Sequence, residues 1–220
     1  PVRRRALPGR LVPELRALLT GREASDTLVL DDLRPGIEEV RRLGECAARW
    51  LARQVRDRVD RTPTVRRRRA VRTRAAIASA RHVLFVCKGN ICRSPFAECY
   101  LRAQGGSPTV TSAGYYPKAD RQAPGEAQQA ARDFGIDLGG HRSRVLDAEA
   151  LRAADCVVTF DRENYETGLR DFAFARPKLQ RLALLRADGA MEIADPYGGT
   201  VDDFRQTYRV IAAALDAARD

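Results

Sequence analysis

The sequence predicts an α/β fold: a mainly parallel sheet with helices on both faces, preceded by a mainly helical N-terminal extension. Three observations lead there. From residue 82 onward, short apolar runs alternate with helical patterns, which is how a chain builds a parallel sheet. At residues 82–98, HVLFVCKGNICRSPFAE, an apolar run enters a tight loop that opens straight into a helix. Strand, loop and helix N-terminus in succession form an anion site, because loop N–H groups and the helix dipole converge on the turn. Charge also divides the chain at this point. Residues 1–81 hold 21 Arg, no Lys and 10 acids, a net of +11, whereas residues 82–220 hold 18 basic and 19 acidic residues, a net of −1. Such a break marks a domain boundary or a functional arm. The expected division is therefore 1–81, an Arg-rich helical extension or linker, and 82–220, an α/β domain.

Taken in order, residues 1–10 are rich in Pro and Arg, and Val12 to Leu19 suits a short helix. Thr27 to Leu30 is too short to classify. After Arg34-Pro35-Gly36, the apolar residues Ile37, Val40, Leu43, Ala47, Trp50, Leu51 and Val55 follow helical spacing until Thr62-Pro63. Residues 64–81, with Arg66 to Arg69 in a row, suit either a helix or an extended basic linker. Strands are expected at Val83–Val86, Thr109–Thr111, Cys156–Phe160 and within Lys178–Leu185. Helices are expected at Pro95–Ala103 with Ser94 as N-cap, and at Ala123–Phe134, ended by Gly135. Further helices fit Asp147–Ala153, Arg162–Leu169 and Val201–Ala218. In such sheets ligands bind beyond the carboxyl ends of the strands, which is where Cys87 falls.

Composition narrows the classes of function. An apolar fraction of 44% supplies a core, and no apolar run is as long as a membrane span. No signal peptide is visible, and a start at Pro1 suits a fragment or a processed product. Five cysteines, an odd number, do not form a secreted disulfide framework, so a cytoplasmic location is expected. Cys and His spacings match no zinc site, and neither a metal nor a cofactor is expected. The basic extension lacks the interleaved aromatics of a single-strand binder, so no specific nucleic-acid partner is expected. It suits docking to another domain or subunit, or to an anionic surface.

Cys-x5-Arg alone proves little here. With five Cys and 36 Arg, about one match arises by chance. A second one exists, Cys156 to Arg162 in CVVTFDR, with no glycine and a strand-like Val157-Val158-Thr159. The first match differs in context: Gly89 and Asn90 can adopt the unusual φ values that a nest of N–H groups requires, which β-branched residues resist. Cys87 is then the nucleophile, its thiolate stabilised by the loop N–H groups, the helix terminus, Arg93 and the Ser94 hydroxyl. Arg93 offers a planar fork for two phosphoryl oxygens and stabilises the charge of the transition state. A leaving alkoxide or phenoxide needs a proton. Asp195, in Ala194-Asp195-Pro196-Tyr197-Gly198, is the candidate acid, with Tyr197 beside it to line a ring-sized pocket.

The run VLFVCKGNICRSPFAE, followed in order by SAG at Ser112, GHRSRVL at Gly140, TFDREN at Thr159 and DPYG at Asp195, resembles the low-molecular-weight protein tyrosine phosphatase family over residues 82–220. The resemblance implies a four-stranded parallel sheet and a two-step reaction. Cys87 would attack phosphotyrosine while Asp195 protonates the phenol, and Asp195 would then activate the water that hydrolyses the cysteinyl-phosphate. It further implies that Lys88, Gly89, Asn90, Ile91, Cys92 and Ser94 cradle the phosphate, with Asn90 holding the loop braced by Ser112 and His141. Ile91, Tyr116 and Tyr197 would line the substrate pocket. Cys92 would serve either as a redox partner protecting Cys87 or as a packed small residue. The substrate class implied is a phosphotyrosine protein, including bacterial tyrosine kinases, in keeping with a composition that favours Arg over Lys.

Three alternatives remain at this level. An arsenate reductase of the same fold requires a later cysteine pair, whereas after the loop only Cys99 and Cys156 follow. Arginine phosphatases of the family tend to carry Thr at the position of Ile91, and an apolar side chain there favours a phenyl ring. An inactive phosphate-binding scaffold would have no need of Cys87, Arg93 and Asp195 together.

Overall fold

In the computed structural model, residues 62–105 and 108–219 are described, with Glu39, 42–44, 47, 48 and 59 as isolated helical positions. The helices expected at 12–19 and over most of 37–55 lie outside the described residues. The elements are α1 (Pro63–Ser79), β1 (His82–Cys87), α2 (Arg93–Ala103), β2 (Thr109–Gly114), α3 (Gly125–Arg132), α4 (Ala148–Ala153), β3 (Cys156–Thr159), α5 (Arg162–Asp171), β4 (Leu179–Arg181) and α6 (Val201–Asp216). Short 3₁₀ turns, Ala173–Lys178 and Leu182–Leu185, flank β4. The four strands are all parallel, in the order β2-β1-β3-β4.

Alternation along β1 builds the two layers. Val83, Phe85 and Cys87 point into one core, shared with Phe96 of α2, Ala127 of α3, and Phe204 and Tyr208 of α6. Leu84 and Val86 point into the other, shared with Leu151 of α4 and with Tyr165 and Leu169 of α5. Both cores need a strand buried on each face, which explains why β1 reads as an unbroken apolar run. In the first core, Phe96 and Tyr208 stack with ring centroids 3.9 Å apart, and the Tyr208 hydroxyl donates to the Cys92 carbonyl at 3.2 Å. The middle of α6 is thereby fastened to the loop that follows β1.

Residues Asp60–Asp220 form one compact unit and Pro1–Val59 another. Helix α1, which the charge break assigns to the extension, packs within the first of these. Ile77 and Ala80 enter the core, the Thr73 hydroxyl bonds Gln180 Oε1 at 3.0 Å, and Arg66 donates to the Arg186 carbonyl at 2.6 Å. The buried face of α1 is narrow and its other side carries exposed Arg67, Arg68 and Arg74. Among the described residues no helix is long and apolar enough to cross a membrane.

One local expectation changes. Ser94 does not cap α2: the helix begins at Arg93 after Cys92, with no side-chain cap bond. The Ser94 hydroxyl is instead committed to Cys87 and Asn90. Strand β2 runs on to Gly114, paired with β1 through Cys87, and so carries Ser112 to the loop.

Candidate active site

Cys87 ends β1, and the loop after it curls back over the sulfur. The Asn90 N–H donates to Cys87 Sγ at 3.2 Å, and Ser94 Oγ lies 3.1 Å from the same atom. This tight return requires Asn90 to take φ = 51°, a left-handed conformation that asparagine tolerates better than most residues, whereas Gly89, expected to share the role, stays out of the left-handed region.

The strain is held by a full set of bonds to a buried side chain. Asn90 Nδ2 donates to Ser94 Oγ at 2.9 Å and to Ser112 Oγ at 2.8 Å. Its Oδ1 accepts the Arg144 N–H at 2.8 Å, and its carbonyl lies 2.7 Å from His141 Nε2. A carbonyl only accepts, so the proton of His141 sits on Nε2. Burial pulls His141 below its ordinary value, against the opposing influence of that bond.

Ser112 in turn donates to Glu98 Oε2 at 2.5 Å, and Glu98 is paired with Arg102 and with Arg144 at 3.5 Å. Gly114 completes the bed. A Cβ there would lie 2.7 Å from the Asn90 nitrogen and 2.9 Å from both the Gly89 carbon and the Lys88 oxygen.

Arg93 opens α2 and is 1% exposed. Its Nη1 donates to Asp161 Oδ2 at 2.5 Å and to the Ile193 carbonyl at 3.0 Å, and its Nη2 donates to Asp195 Oδ2 at 2.7 Å. Burial works against the guanidinium charge, but Cys87, Asp195 and Asp161 together outweigh it and hold Arg93 above its ordinary value. Its Nε is buried and has no partner among the described residues. A buried donor left unpaired is costly, and an oxyanion seated in the loop is the acceptor that would satisfy it.

Asp195 thus meets the loop through one guanidinium, although 108 residues separate it from Cys87. A cleft of 480 Å³ is lined by Cys87, Lys88, Gly89, Ile91, Cys92, Tyr116, Arg121, Asp195 and Tyr197. All three residues expected to line the substrate pocket, Ile91, Tyr116 and Tyr197, are in that cleft. Cys92 is also a buried free thiol, pushed far up by burial with Asp195 and Cys87 nearby. Neutral Cys92 and charged Arg93 therefore give neighbouring positions of the loop opposite electrostatic character.

Three further residues belong to the site that the sequence alone does not single out. Asp161 belongs to the second Cys-x5-Arg match, which supplies a strand and then this carboxylate; it also caps α5 by accepting the Asn164 N–H at 2.7 Å. Its place in TFDREN was the available signal. Glu98 lay within the first motif, four residues from Ser94, without a visible partner. Arg121 carried no signal among 36 arginines.

A four-stranded parallel sheet with a buried Cys–Arg loop at the carboxyl end of a central strand defines the class of phosphate-handling cysteine enzymes. The comparisons narrow that class. The family model described as "Low molecular weight phosphotyrosine protein phosphatase" matches residues 82–218, and the chain belongs to that family of enzymes. Among the relatives, the low molecular weight protein-tyrosine-phosphatase Etp of Escherichia coli K12 is 31% identical over 134 residues, covering 60% of this chain and 88% of its own. The protein-arginine-phosphatase of Bacillus subtilis is 30% identical over 129 residues, covering 57% and 85%. The solved structure of the tyrosine phosphatase Wzb from Escherichia coli K30 in complex with sulphate superposes with a TM-score of 0.59 at 29% identity, covering 63% of this chain and 96% of that one.

Proposed function

We propose that the chain hydrolyses phosphotyrosine in proteins through a cysteinyl-phosphate, with Cys87 as nucleophile, Arg93 as phosphate clamp and Asp195 as general acid and base. The observation that carries the reading is the convergence of these three residues on one cleft whose wall is Ile91, Tyr116 and Tyr197. In the first step Cys87 Sγ bonds to phosphorus, the bond to the tyrosyl oxygen breaks, and the Asp195 proton goes to that oxygen. In the second step Asp195 takes a proton from water, the water oxygen bonds to phosphorus, and the sulfur leaves as thiolate. The loop N–H groups and Arg93 carry the charge of both transition states. Asn90, Ser94, Ser112 and His141 hold the loop in shape. Cys92 is the partner that protects Cys87 from irreversible oxidation: a peroxide oxidises Cys87 to the sulfenic acid, Cys92 displaces water to close a disulfide, and cytoplasmic thiols reduce it again.

The test is a burst of p-nitrophenol from p-nitrophenyl phosphate. Wild type turns over, Cys87→Ser is silent, and Asp195→Asn loses about 10²–10⁴-fold in kcat, the usual contribution of a general acid. A silent wild type would overturn the reading. An arginine phosphatase is the second reading, supported by the similarity to the Bacillus subtilis enzyme. The apolar Ile91 in the cleft favours an aryl group over a guanidinium, and greater activity on phosphoarginine than on phosphotyrosine peptides would reverse that preference.

Bacterial tyrosine kinases are the substrates that family and composition favour, and a Cys87→Ser trap would display them as accumulating phosphoproteins. Among the described residues, the outward arginines of α1 are suited to an anionic surface. Replacing Arg67, Arg68 and Arg74 by Gln, then measuring salt-sensitive binding to anionic vesicles, tests that role.

A further inference from the structure

Cleft charges other than one are already matched. Arg93 faces Asp161 and Asp195, and Lys88 Nζ lies 3.5 Å from Glu163 Oε1. Arg121, on the rim of the same cleft, has no carboxylate partner among the described residues. Its neighbour Asp120 is paired instead with Arg142 at 3.8 Å.

The fold fixes Arg121 with some care. Asp120 takes φ = 59°, a left-handed conformation that costs energy in a non-glycine residue. Its N–H donates to the Ser143 carbonyl at 2.8 Å, the Ser143 N–H donates to the Arg121 carbonyl at 2.9 Å, and the Arg121 N–H donates to Ser143 Oγ at 3.0 Å. The guanidinium is then pinned from three sides. Nη2 donates to the Gly89 carbonyl, Nε donates to the Lys118 carbonyl at 3.1 Å, and Cζ lies 4.4 Å from the centre of the Tyr116 ring. Both donors of Nη1 and the second donor of Nη2 have no acceptor among the described residues. A rigid, uncompensated cation beside a phosphate loop is a second anion site, displaced from the first.

We propose that Arg121 is a specificity-determining residue that binds a carboxylate within two residues of the phosphorylated side chain, so that acidic phosphotyrosine segments are the preferred substrate class. The inference rests on the phosphatase reading above. Two residues of extended chain span about 7 Å, a reach suited to a rim position beside Gly89. Stacking on Tyr116 and two carbonyl bonds have already immobilised the guanidinium, so little entropy is lost when Nη1 finds its acceptor.

The experiment compares phosphotyrosine peptides that differ only in Glu or Gln at the positions flanking phosphotyrosine. Wild type should favour the Glu peptide by about tenfold in kcat/KM, through KM, the scale of one charge-assisted hydrogen bond at a partly exposed site. The preference should shrink in high salt. Arg121→Gln should reduce it below about twofold, and Arg121→Lys should keep part of it. No preference in wild type, or the same preference in Arg121→Gln, overturns the proposal. So does an equal fall of kcat on both peptides with the preference intact, because Arg121 would then only support Gly89. Turnover of p-nitrophenyl phosphate by wild type separates these outcomes from failure of the phosphatase reading, which would leave that substrate intact as well.

Discussion

Asp161 Oδ2 accepts from Arg93 Nη1 at 2.5 Å while Asp161 Oδ1 accepts the Asn164 N–H at 2.7 Å, so one carboxylate both caps α5 and aims the guanidinium of the phosphate loop. The two functions separate in Asp161→Asn, which keeps a capping oxygen but loses the charge beside Arg93. Its expected effect is a fall of about tenfold in kcat/KM for p-nitrophenyl phosphate, roughly 1.4 kcal/mol of transition-state stabilisation. Thermal unfolding should move little. Asp161→Ala should lower both, and steady-state kinetics alongside calorimetry would show the difference.

Gly114→Ala should damage activity far more than stability. Every atom that the added methyl would strike is main chain of the loop, at Lys88, Gly89 and Asn90. The loop must shift, and a displacement of about 1 Å in a catalytic constellation costs on the order of 10²-fold in rate. Circular dichroism should show an intact fold while kcat collapses.

Acid should loosen the loop through His141. Its folded-state value lies below the ordinary 6.5 because burial disfavours the charged ring. The neutral ring therefore contributes stability that is fully present above about pH 6.5 and is lost as pH falls through the lowered value. His141→Gln does not titrate and has an amide that can donate to the Asn90 carbonyl. The drop in Tm between pH 7 and pH 5 should be smaller in that variant than in wild type.

Truncation should locate the edge of the folded unit. A chain beginning at residue 60 keeps α1, whereas one beginning at residue 82 loses Ile77 and Ala80 from the core and leaves Gln180 without the Thr73 hydroxyl. Removing one buried Ile side chain alone costs about 2–5 kcal/mol. Urea unfolding should therefore give a markedly lower midpoint for the 82–220 chain than for the 60–220 chain.

What the sequence disclosed followed from distance along the chain. The loop from Cys87 to Ser94 was legible because strand, nest and helix start are contiguous, and each residue's chemistry is local. Asp195 was legible only through its motif. The Arg93–Asp161 pair spans 68 residues, and Asp161 sat in a Cys-x5-Arg match that reads as coincidence. As a phosphate loop that match is indeed a strand, but its carboxylate serves the true loop. Helix α1 hid its membership of the core because its buried contacts are Thr73 and Ile77 between arginines, too few to register as a face. Ser94 misled by type: serine before a helix usually caps it, and here two closer partners, Cys87 and Asn90, took the hydroxyl.

Arg93 Nη2 is held by Asp195 in this structure, and that contact gives the protein an internal competitor. Any oxyanion that takes this donor must displace a carboxylate tethered at high effective concentration. Under the proposed mechanism, binding through this donor would be an exchange of ligands on one guanidinium and would free Asp195 as the phosphoryl group arrives. Ground-state affinity for inorganic anions would then be traded for a coupling between occupancy of the loop and freedom of Asp195.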